Sequence, residues 1–257
     1  GDLDEIKRVL RPETKALYIE TPSNPMMEIT DLSACAELAK EHNLLMITDN
    51  TFLSPYLQNP IVLGADIVIH SASKFLCGHN DTIAGFVCSA KEELAAKIRL
   101  IAKTTGGCLS PFDSWLVMRG IKTLAVRMER QQENAGNIAR WLTEQKKVRK
   151  VYYAGLETHP GYEINAKQAR GAGAMISFDV DSVETAQRVL EKVRVITFAE
   201  SLGGTESLIT YPMKQTHPDV PKEWREKLGI TDTLLRLSVG LEHVDELIAD
   251  LEQAFVS

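Results

Sequence analysis

A lysine that follows a buried strand is the first residue whose position suggests chemistry. The segment Asp66-Ile-Val-Ile-His-Ser-Ala-Ser-Lys74 runs from an apolar strand into a loop of small residues, which places Lys74 at the strand's carboxyl end. Ligands bind at that edge of α/β sheets. Apolar neighbours disfavour the charged form of a lysine, and the neutral amine can form an imine with a carbonyl compound. A solvated surface lysine is the structural alternative, which a single lysine leaves open.

An acidic residue closes another apolar segment. Asp49 follows residues 44–48, and a carboxylate at the end of a buried strand is costly unless a cation meets it. The protonated pyridine nitrogen of pyridoxal phosphate would be such a cation, because this cofactor needs an acidic partner to withdraw electrons. Ser71 and Ser73 offer hydroxyl groups suited to a phosphate. Two alternatives stay open: Asp49 as a turn cap, and serines that bond only to backbone.

One arginine interrupts an apolar strand in the second half of the chain. Arg236 lies within Leu234-Leu-Arg-Leu-Ser-Val-Gly240. A planar guanidinium held rigidly on a strand binds a carboxylate through two parallel hydrogen bonds, and an amino-acid substrate would supply that carboxylate. A structural salt bridge or an outward-facing position remains the alternative.

The elements that must position these residues differ between the two halves of the chain. In the first half, strands at 16–19, 44–48, 67–70 and 85–88 alternate with helices at 31–42 and 91–103, Asp31 being a natural N-cap. This pattern predicts an α/β domain whose mostly parallel sheet has helices on both faces. The second half predicts a smaller α+β domain, with strands at 148–153, 174–180, 196–199, 207–211 and 234–239 and helices at 183–193 and 244–255. A boundary inside the helical stretch 112–145 gives domains 1–121 and 122–257.

Composition narrows the classes of function. The 257 residues are 44% hydrophobic and 25% charged, with a net charge of -6. They contain no apolar run that would span a bilayer and no Lys/Arg-rich stripe for nucleic acid. The four cysteines show neither a C-x-x-C pair nor a metal-ligand spacing. We therefore expect a cytoplasmic protein that acts on a small molecule, without a metal, a membrane or a nucleic acid as partner.

Five motifs occur in a familiar order. They are Glu20-Thr-Pro-Ser-Asn-Pro25, Thr48-Asp-Asn-Thr51, His70-Ser-Ala-Ser-Lys-Phe75 with Gly78-His79, Glu200-Ser-Leu-Gly-Gly204, and Leu235-Arg-Leu-Ser-Val-Gly240. With them the sequence resembles the pyridoxal-phosphate enzymes of cysteine and methionine metabolism, which include cystathionine lyases, cystathionine γ-synthase and methionine γ-lyase. The resemblance implies an aminotransferase-like fold (fold type I). It also implies a homotetramer, a dimer of dimers with the active site at a subunit interface.

The resemblance implies roles for the cofactor-binding residues. Lys74 is implied as the lysine bonded to pyridoxal phosphate and as a later proton shuttle, and Asp49 as the partner of the pyridine nitrogen. Ser71 and Ser73 are implied as phosphate ligands, although relatives more often have Thr at the position of Ser73. Asn24 is implied to bond the cofactor's ring hydroxyl.

Substrate-binding residues follow from the same resemblance. Arg236 is implied as the clamp on the substrate α-carboxylate, assisted by Asn24 and by Ser201, which is also implied to lie near the lysine. Glu200 is Glu in several γ-acting relatives as well, and a carboxylate there would hold the distal amino group of cystathionine; a solvated Glu at a strand end is the alternative. We expect cleavage of cystathionine, γ-elimination ahead of β-elimination. The main competitor is γ-replacement, as in cystathionine γ-synthase or an O-acylhomoserine sulfhydrylase.

Two further expectations concern what else this chain is. Family members begin earlier, with an amino-terminal segment that supplies a glycine-rich phosphate contact and a tyrosine stacked on the cofactor, so the chain resembles the larger carboxyl-terminal portion of an enzyme. An inactive fragment or subunit is one rival reading. The other is a serine hydrolase, because Ser71-Ala-Ser-Lys74 matches S-x-x-K; however, Lys103-Thr-Thr-Gly106 has one residue too many for the accompanying K-T-G strand.

Overall fold

The first half of the chain forms a mostly parallel sheet, as the alternation of its segments predicts. A computed structural model describes residues 2–216 and 218–256. Its first sheet has the order β1-β2-β3-β4, with β1 at Ala16–Glu20, β2 at Leu45–Asp49, β3 at Ile67–Ser71 and β4 at Gly85–Ser89. The pairs β1·β2 and β2·β3 are parallel, whereas β4 runs antiparallel to β3. The sequence pattern does not contain this reversal of β4.

Helices flank this sheet. They are α1 (Leu3–Val9), α2 (Leu32–Glu41), α3 (Ser54–Leu57), α4 (Glu92–Thr105) and α5 (Pro111–Ile121). The Asp31 side chain accepts a hydrogen bond from Ala34 N at 3.0 Å, which confirms the predicted N-cap of α2. Leu32, Cys35 and Leu38 recur on one face of α2 and are buried with Leu17, Met46 and Val68 of the sheet. This cluster is the core on one side of the sheet.

The chain leaves β3 through a kinked helical turn, Ala72–Leu76, in which the backbone of Lys74 departs from helical angles (φ -97°, ψ -131°). This turn, called the lysine turn below, is buried at Ala72, Phe75 and Leu76, so its backbone is fixed while Lys74 points out of the core. Gly120 at the end of α5 packs against it: a Cβ at Gly120 would lie 2.1 Å from the carbonyl oxygen of Cys77. Only glycine allows this approach.

The second half contains one long helix and a separate sheet. The helical stretch predicted over 112–145 is divided between α5 and α6 (Leu124–Thr143). Beyond α6 lie five strands in the order β5-β6-β9-β8-β7, with β5 at Val148–Tyr152, β6 at Met175–Val180, β7 at Thr197–Phe198, β8 at Leu208–Thr210 and β9 at Leu234–Ser238. Helices α7 (Tyr162–Gln168), α8 (Val183–Lys192), α9 (Lys222–Leu228) and α10 (Val244–Val256) complete it.

One apolar core joins the two halves. Phe52, Leu53 and Phe75 from the first half are buried in the same cluster as Met128 and Ile138 of α6. Strands β6 and β9 contribute their buried residues to that cluster as well. The shared core shows no boundary between the halves, so the domain division at residue 121 stays a prediction. None of the helices in residues 2–216 and 218–256 is long and apolar enough to cross a membrane.

Candidate active site

Lys74 lies at the carboxyl end of β3, in contact with a residue 127 positions later in the chain. Its Nζ donates a hydrogen bond to Ser201 Oγ at 3.1 Å. Burial lowers the pKa of Lys74, and the positive charge of Arg236 lowers it further, while Glu200 opposes both effects. The neutral amine is thus more accessible here than on an exposed lysine, which favours the chemistry predicted from the sequence.

An open cleft of about 510 Å³ surrounds this amine. It contains the predicted residues Ser71, Ser73, Lys74, Glu200 and Ser201. Asn80, Thr82, Ile83 and Leu208 complete its lining. Side chains from the lysine turn and from the loop after β7 therefore meet in one place, although the sequence separates them widely.

Ser201 holds an unusual backbone conformation at this cleft. Its φ is +103°, in the region that favours glycine, and such a conformation costs about 1–3 kcal/mol at a non-glycine residue. Hydrogen bonds hold the residue from two sides, with its Oγ accepting from Lys74 and its carbonyl oxygen accepting from Arg236 Nη2 at 3.1 Å. The loop geometry is therefore tied to both charged side chains.

Arg236 is buried in the middle of β9, with 2% of its surface exposed. Nη1 donates to Asn24 Oδ1 at 2.9 Å, and Nη2 donates to Thr210 Oγ1 at 3.2 Å as well as to Ser201. Burial lowers the pKa of Arg236 to about 10, so the group stays charged at neutral pH. No carboxylate pairs with it among the described residues, and its Nε is buried without an acceptor. The predicted salt-bridge alternative is thus absent from the described structure.

Asp49 is the last residue of β2, and its register partner in β3 is Ile69. The carboxylate and the lysine turn therefore lie at the same end of the sheet. Asp49 Oδ1 accepts from Thr51 N at 2.9 Å, and Oδ2 accepts from Tyr18 OH at 3.4 Å. The first contact is the turn cap named as an alternative, and it leaves the second oxygen with a long hydrogen bond only. No ion pair of the described residues includes Asp49.

The two serines of the lysine-turn region make different contacts. Ser73 Oγ accepts from Ala84 N at 2.9 Å, which is the backbone contact named as the alternative. The backbone N–H of Ser71 donates to Thr51 Oγ1 at 2.9 Å. Both serines line the cleft. The structure brings them next to Lys74, and their role as phosphate ligands stays a prediction.

Two threonines belong to the site and were missed from the sequence. Thr210 of β8 is the register partner of Arg236, and its hydroxyl accepts from the guanidinium. Thr51 bridges the end of β2 to Ser71. Thr51 belongs to the motif Thr48-Asp-Asn-Thr51, which could have indicated its place in the site. The contact of Thr210 depends on strand pairing, so its neighbours in the sequence do not predict it.

Similarity to known proteins supports the same interpretation of these residues. A family model described as "Cys/Met metabolism PLP-dependent enzyme" matches residues 1–256. The chain belongs to this family. Pyridoxal phosphate is the cofactor of this family. The predicted aminotransferase-like fold is confirmed by similarity to solved structures of cystathionine enzymes.

Relatives with different activities match almost equally well. The chain is 49% identical to a cystathionine gamma-lyase of Bacillus subtilis, over 98% of this chain and 66% of the relative. It is 50% identical to a cystathionine beta-lyase of Lactococcus lactis, over 99% of this chain and 67% of the relative. The crystal structure of cystathionine gamma-lyase from Lactobacillus plantarum complexed with L-serine superposes with a TM-score of 0.97 at 47% identity, covering 100% of this chain and 67% of that one. The chain thus spans about two thirds of the length of these proteins.

Asp49, Asn24 and Arg236 do not line the cleft, but together with the residues that do, they fit the family's cofactor chemically. An amine of lowered pKa can bond an aldehyde, an unpaired carboxylate can meet a pyridinium, and hydroxyl groups at the same end of the sheet can meet a phosphate. The buried Nε–H of Arg236 lacks an acceptor, which an anionic ligand could supply. Each donor type that the cofactor and an amino acid require is therefore present.

Proposed function

We propose that the chain carries most of the active site of a carbon–sulfur lyase that cleaves cystathionine. The observation that supports this most directly is the Lys74–Ser201 contact at 3.1 Å, with the buried Arg236 bonded to the same serine residue. A reactive amine thereby lies beside a fixed carboxylate-binding group. This is the arrangement that chemistry at the α-carbon of an amino acid requires.

Five residues would hold the cofactor in this proposal. Lys74 would bond its aldehyde, Asp49 would pair with the pyridine nitrogen, Ser71 and Ser73 would bind its phosphate, and Asn24 would bond the ring hydroxyl. When bound, pyridoxal phosphate supplies an electron sink conjugated to the substrate amine. The Asp49 oxygen that is only weakly bonded to Tyr18, at 3.4 Å, is the one available for the pyridine nitrogen.

The remaining steps belong to the protein. Arg236 binds the substrate α-carboxylate and orients the α-carbon toward the cleft. The Lys74 amine, once it is free, takes the α-proton at Nζ, and Ser201 Oγ keeps that nitrogen in place. Because burial and Arg236 lower the pKa of Lys74, the amine is a usable base nearer to neutral pH.

Which bond breaks depends on the far end of the substrate. Glu200 is exposed and lines the same cleft as Lys74. A carboxylate there is placed to hold the distal amino group of cystathionine. We propose γ-elimination ahead of β-elimination, with γ-replacement on an activated homoserine as the second candidate.

Product analysis tests this function. Incubation of cystathionine with the protein, supplied with pyridoxal phosphate and with the amino-terminal segment of a relative, is expected to release cysteine and 2-oxobutyrate, detected by chromatography; homocysteine and pyruvate would instead mean β-elimination. The matched control is Lys74→Ala, which should abolish product. A protein that leaves cystathionine intact but joins cysteine or sulfide to an O-acyl homoserine would show that the lyase proposal is wrong.

The rival serine-hydrolase function gains no support from the geometry. Ser71 ends β3 and precedes a turn in which the backbone of Lys74 is not helical (φ -97°, ψ -131°), and the Lys74 amine donates to Ser201. The S-x-x-K mechanism needs its serine and lysine on one helical face. An absorbance band in the visible region that stays with the protein after free pyridoxal phosphate is removed would separate the two functions, because a serine hydrolase binds no such chromophore.

Assembly forms part of the proposal. We propose a cytoplasmic homotetramer, a dimer of dimers, with the active site at a subunit interface and with an amino-terminal segment required for turnover. The exposure of β4 supports the proposal that a further segment of chain packs here, because four of the five residues of this strand are exposed. An edge strand with both faces open to water is a surface that another element normally covers.

A further inference from the structure

Helix α6 carries three buried polar side chains on one face. Arg127, Gln131 and Asn134 follow one another at helical spacing and have 2%, 0% and 1% of their surfaces exposed. Burial of such groups is costly unless they form hydrogen bonds. Each of them donates to backbone carbonyls outside α6, so the helix is anchored to several loops. We call these three residues the polar ridge.

Arg127 binds backbone carbonyl groups of the lysine turn. Its Nη1 donates to Phe75 O at 2.8 Å, and its Nη2 donates to Gly120 O at 2.8 Å and more weakly to Leu76 O at 3.4 Å. No ion pair of the described residues includes Arg127. The cation is therefore used on peptide carbonyls, including those of the two residues that directly follow Lys74.

The guanidinium fits this place tightly. A Cβ at Gly78, which is the fourth residue after Lys74, would lie 2.0 Å from Arg127 Nη1. Gly78 N donates to Lys74 O at 2.7 Å, so this glycine closes the lysine turn. Its φ of +74° also favours glycine. The guanidinium is thus closely packed against the backbone that follows Lys74.

Gln131 binds the loop that packs against the lysine turn. Its Nε2 donates to Gly204 O at 2.6 Å, in the loop that begins at Ser201. In that loop a Cβ at Gly203 would lie 2.6 Å from Phe75 N and 3.0 Å from the carbonyl carbon of Lys74. The loop therefore packs directly on the lysine turn, and one helix holds both backbones.

We propose that Arg127 and Gln131 are positioning residues, which fix the lysine turn and the Ser201–Gly204 loop to α6 and thereby set the contact between Lys74 and Ser201. Neither residue lines the cleft. Their effect on turnover rests on the proposed function of Lys74, but their effect on the environment of Lys74 does not. The two effects can be measured separately.

The test follows the titration of Lys74 in the protein without cofactor. Acylation of Lys74 by acetic anhydride is measured by peptide mass spectrometry from pH 6 to 11, and the pH of half-maximal reaction is compared between variants. Arg127→Met and Gln131→Leu should loosen the turn, admit water to the amine and raise that pH by about half a unit or more toward the ordinary lysine value. The charged neighbours Arg236 and Glu200 are unchanged in every variant.

Two controls on the same helix separate positioning from general destabilisation. Arg130→Met removes an exposed arginine that, among the described residues, forms an ion pair only with Glu133, and it should leave the titration of Lys74 unchanged. Ile138→Ala opens the core, where Ile138 is fully buried, and should lower the urea midpoint without moving that titration. An equal shift in Ile138→Ala, or no shift in either ridge variant, would overturn the proposal.

The same variants are then assayed with cofactor. We expect Arg127→Met to lower kcat at least about tenfold while KM changes less than about twofold, since Arg236 is untouched. Absence of cystathionine cleavage by the unmodified protein, assayed with cofactor and with the amino-terminal segment of a relative supplied, would contradict the proposed function alone, because the acylation titration decides the positioning role without it. Should Arg127→Met fail to fold, Gln131→Leu carries both measurements, and an unshifted titration in it would reject the proposal.

Discussion

At the scale of single residues, Lys74 combines an amine of lowered pKa with a position at the rim of the cleft. We predict that borohydride, added after pyridoxal phosphate, will fix the cofactor to Lys74, because only an imine between amine and cofactor is reducible in this way. Peptide mass spectrometry should find the added mass on Lys74 and not in Lys74→Arg. Label on another lysine would remove Lys74 from the proposed site.

Arg236 permits a second prediction at this scale. Arg236→Lys keeps the charge but cannot bond Asn24, Thr210 and a substrate carboxylate through one planar group. Loss of a charge-assisted hydrogen bond costs about 1.5–3 kcal/mol, so KM for cystathionine should rise about tenfold or more. Steady-state kinetics would measure it, with the exposed Arg149→Lys as a control that leaves KM unchanged. An unaltered KM in Arg236→Lys would make Arg236 a structural residue.

At the scale of elements, a buried carboxylate of α10 fixes the start of β7. Asp250 has 5% of its surface exposed and accepts from the backbone N–H groups of Arg194, Val195 and Ile196 at 2.8–3.0 Å. These donors lie just before β7, which leads into Glu200 and Ser201. One carboxylate therefore sets where this part of the site loop begins.

Asp250→Asn should destabilise the fold, because the amide presents an N–H group to backbone donors where the carboxylate presented an acceptor. We predict a loss of about 2–3 kcal/mol in the free energy of unfolding, measured by urea titration. Asp245→Asn on the same helix is the matched control, since the Asp245 side chain is 82% exposed. Equal urea midpoints in the two variants would mean that Asp250 contributes no more than a surface residue.

At the scale of the whole molecule, a continuous part of the surface is apolar and uncovered. Phe112, Trp115 and Met118 of α5 are 67%, 48% and 59% exposed, and α4 buries none of its residues. Apolar patches of this kind mark surfaces that contact another element. The chain spans about two thirds of the length of these relatives, and we propose that this exposed surface contacts a further segment of chain that completes the site.

We therefore predict that the 257-residue chain alone cleaves cystathionine at less than about one tenth of the rate of a chimera, since an incomplete site lacks part of its orienting contacts. In the chimera, the amino-terminal third of the Bacillus subtilis relative precedes this chain. Cystathionine turnover measures the difference, and light scattering after size-exclusion chromatography is expected to give a tetramer for the chimera. The Lys74→Ala chimera is the control. Equal turnover by the chain alone would show that no further segment is needed.

The sequence by itself determined most of the elements and the types of reactive residue, whereas the short helices α1, α3, α7 and α9 were not predicted. Lys74 and Asp49 follow from apolar strands that end in polar residues, and Asp31 follows from capping preference. These signals are local: each depends on neighbours within a few positions. That is why most of the predicted strands and helices lie within one or two residues of the observed ones, while the one long helical stretch is split at Lys122–Thr123.

Only the tertiary structure decided which of these residues meet. Arg236 reaches Asn24 across 212 positions and Lys74 reaches Ser201 across 127, and such contacts depend on strand order and loop packing rather than on periodicity. The reversal of β4, the pairing of Thr210 with Arg236 and the polar ridge of α6 have no local signal for the same reason. The sequence of a helix does not show which of its polar side chains are buried, because the carbonyls that they bind lie far away in the sequence.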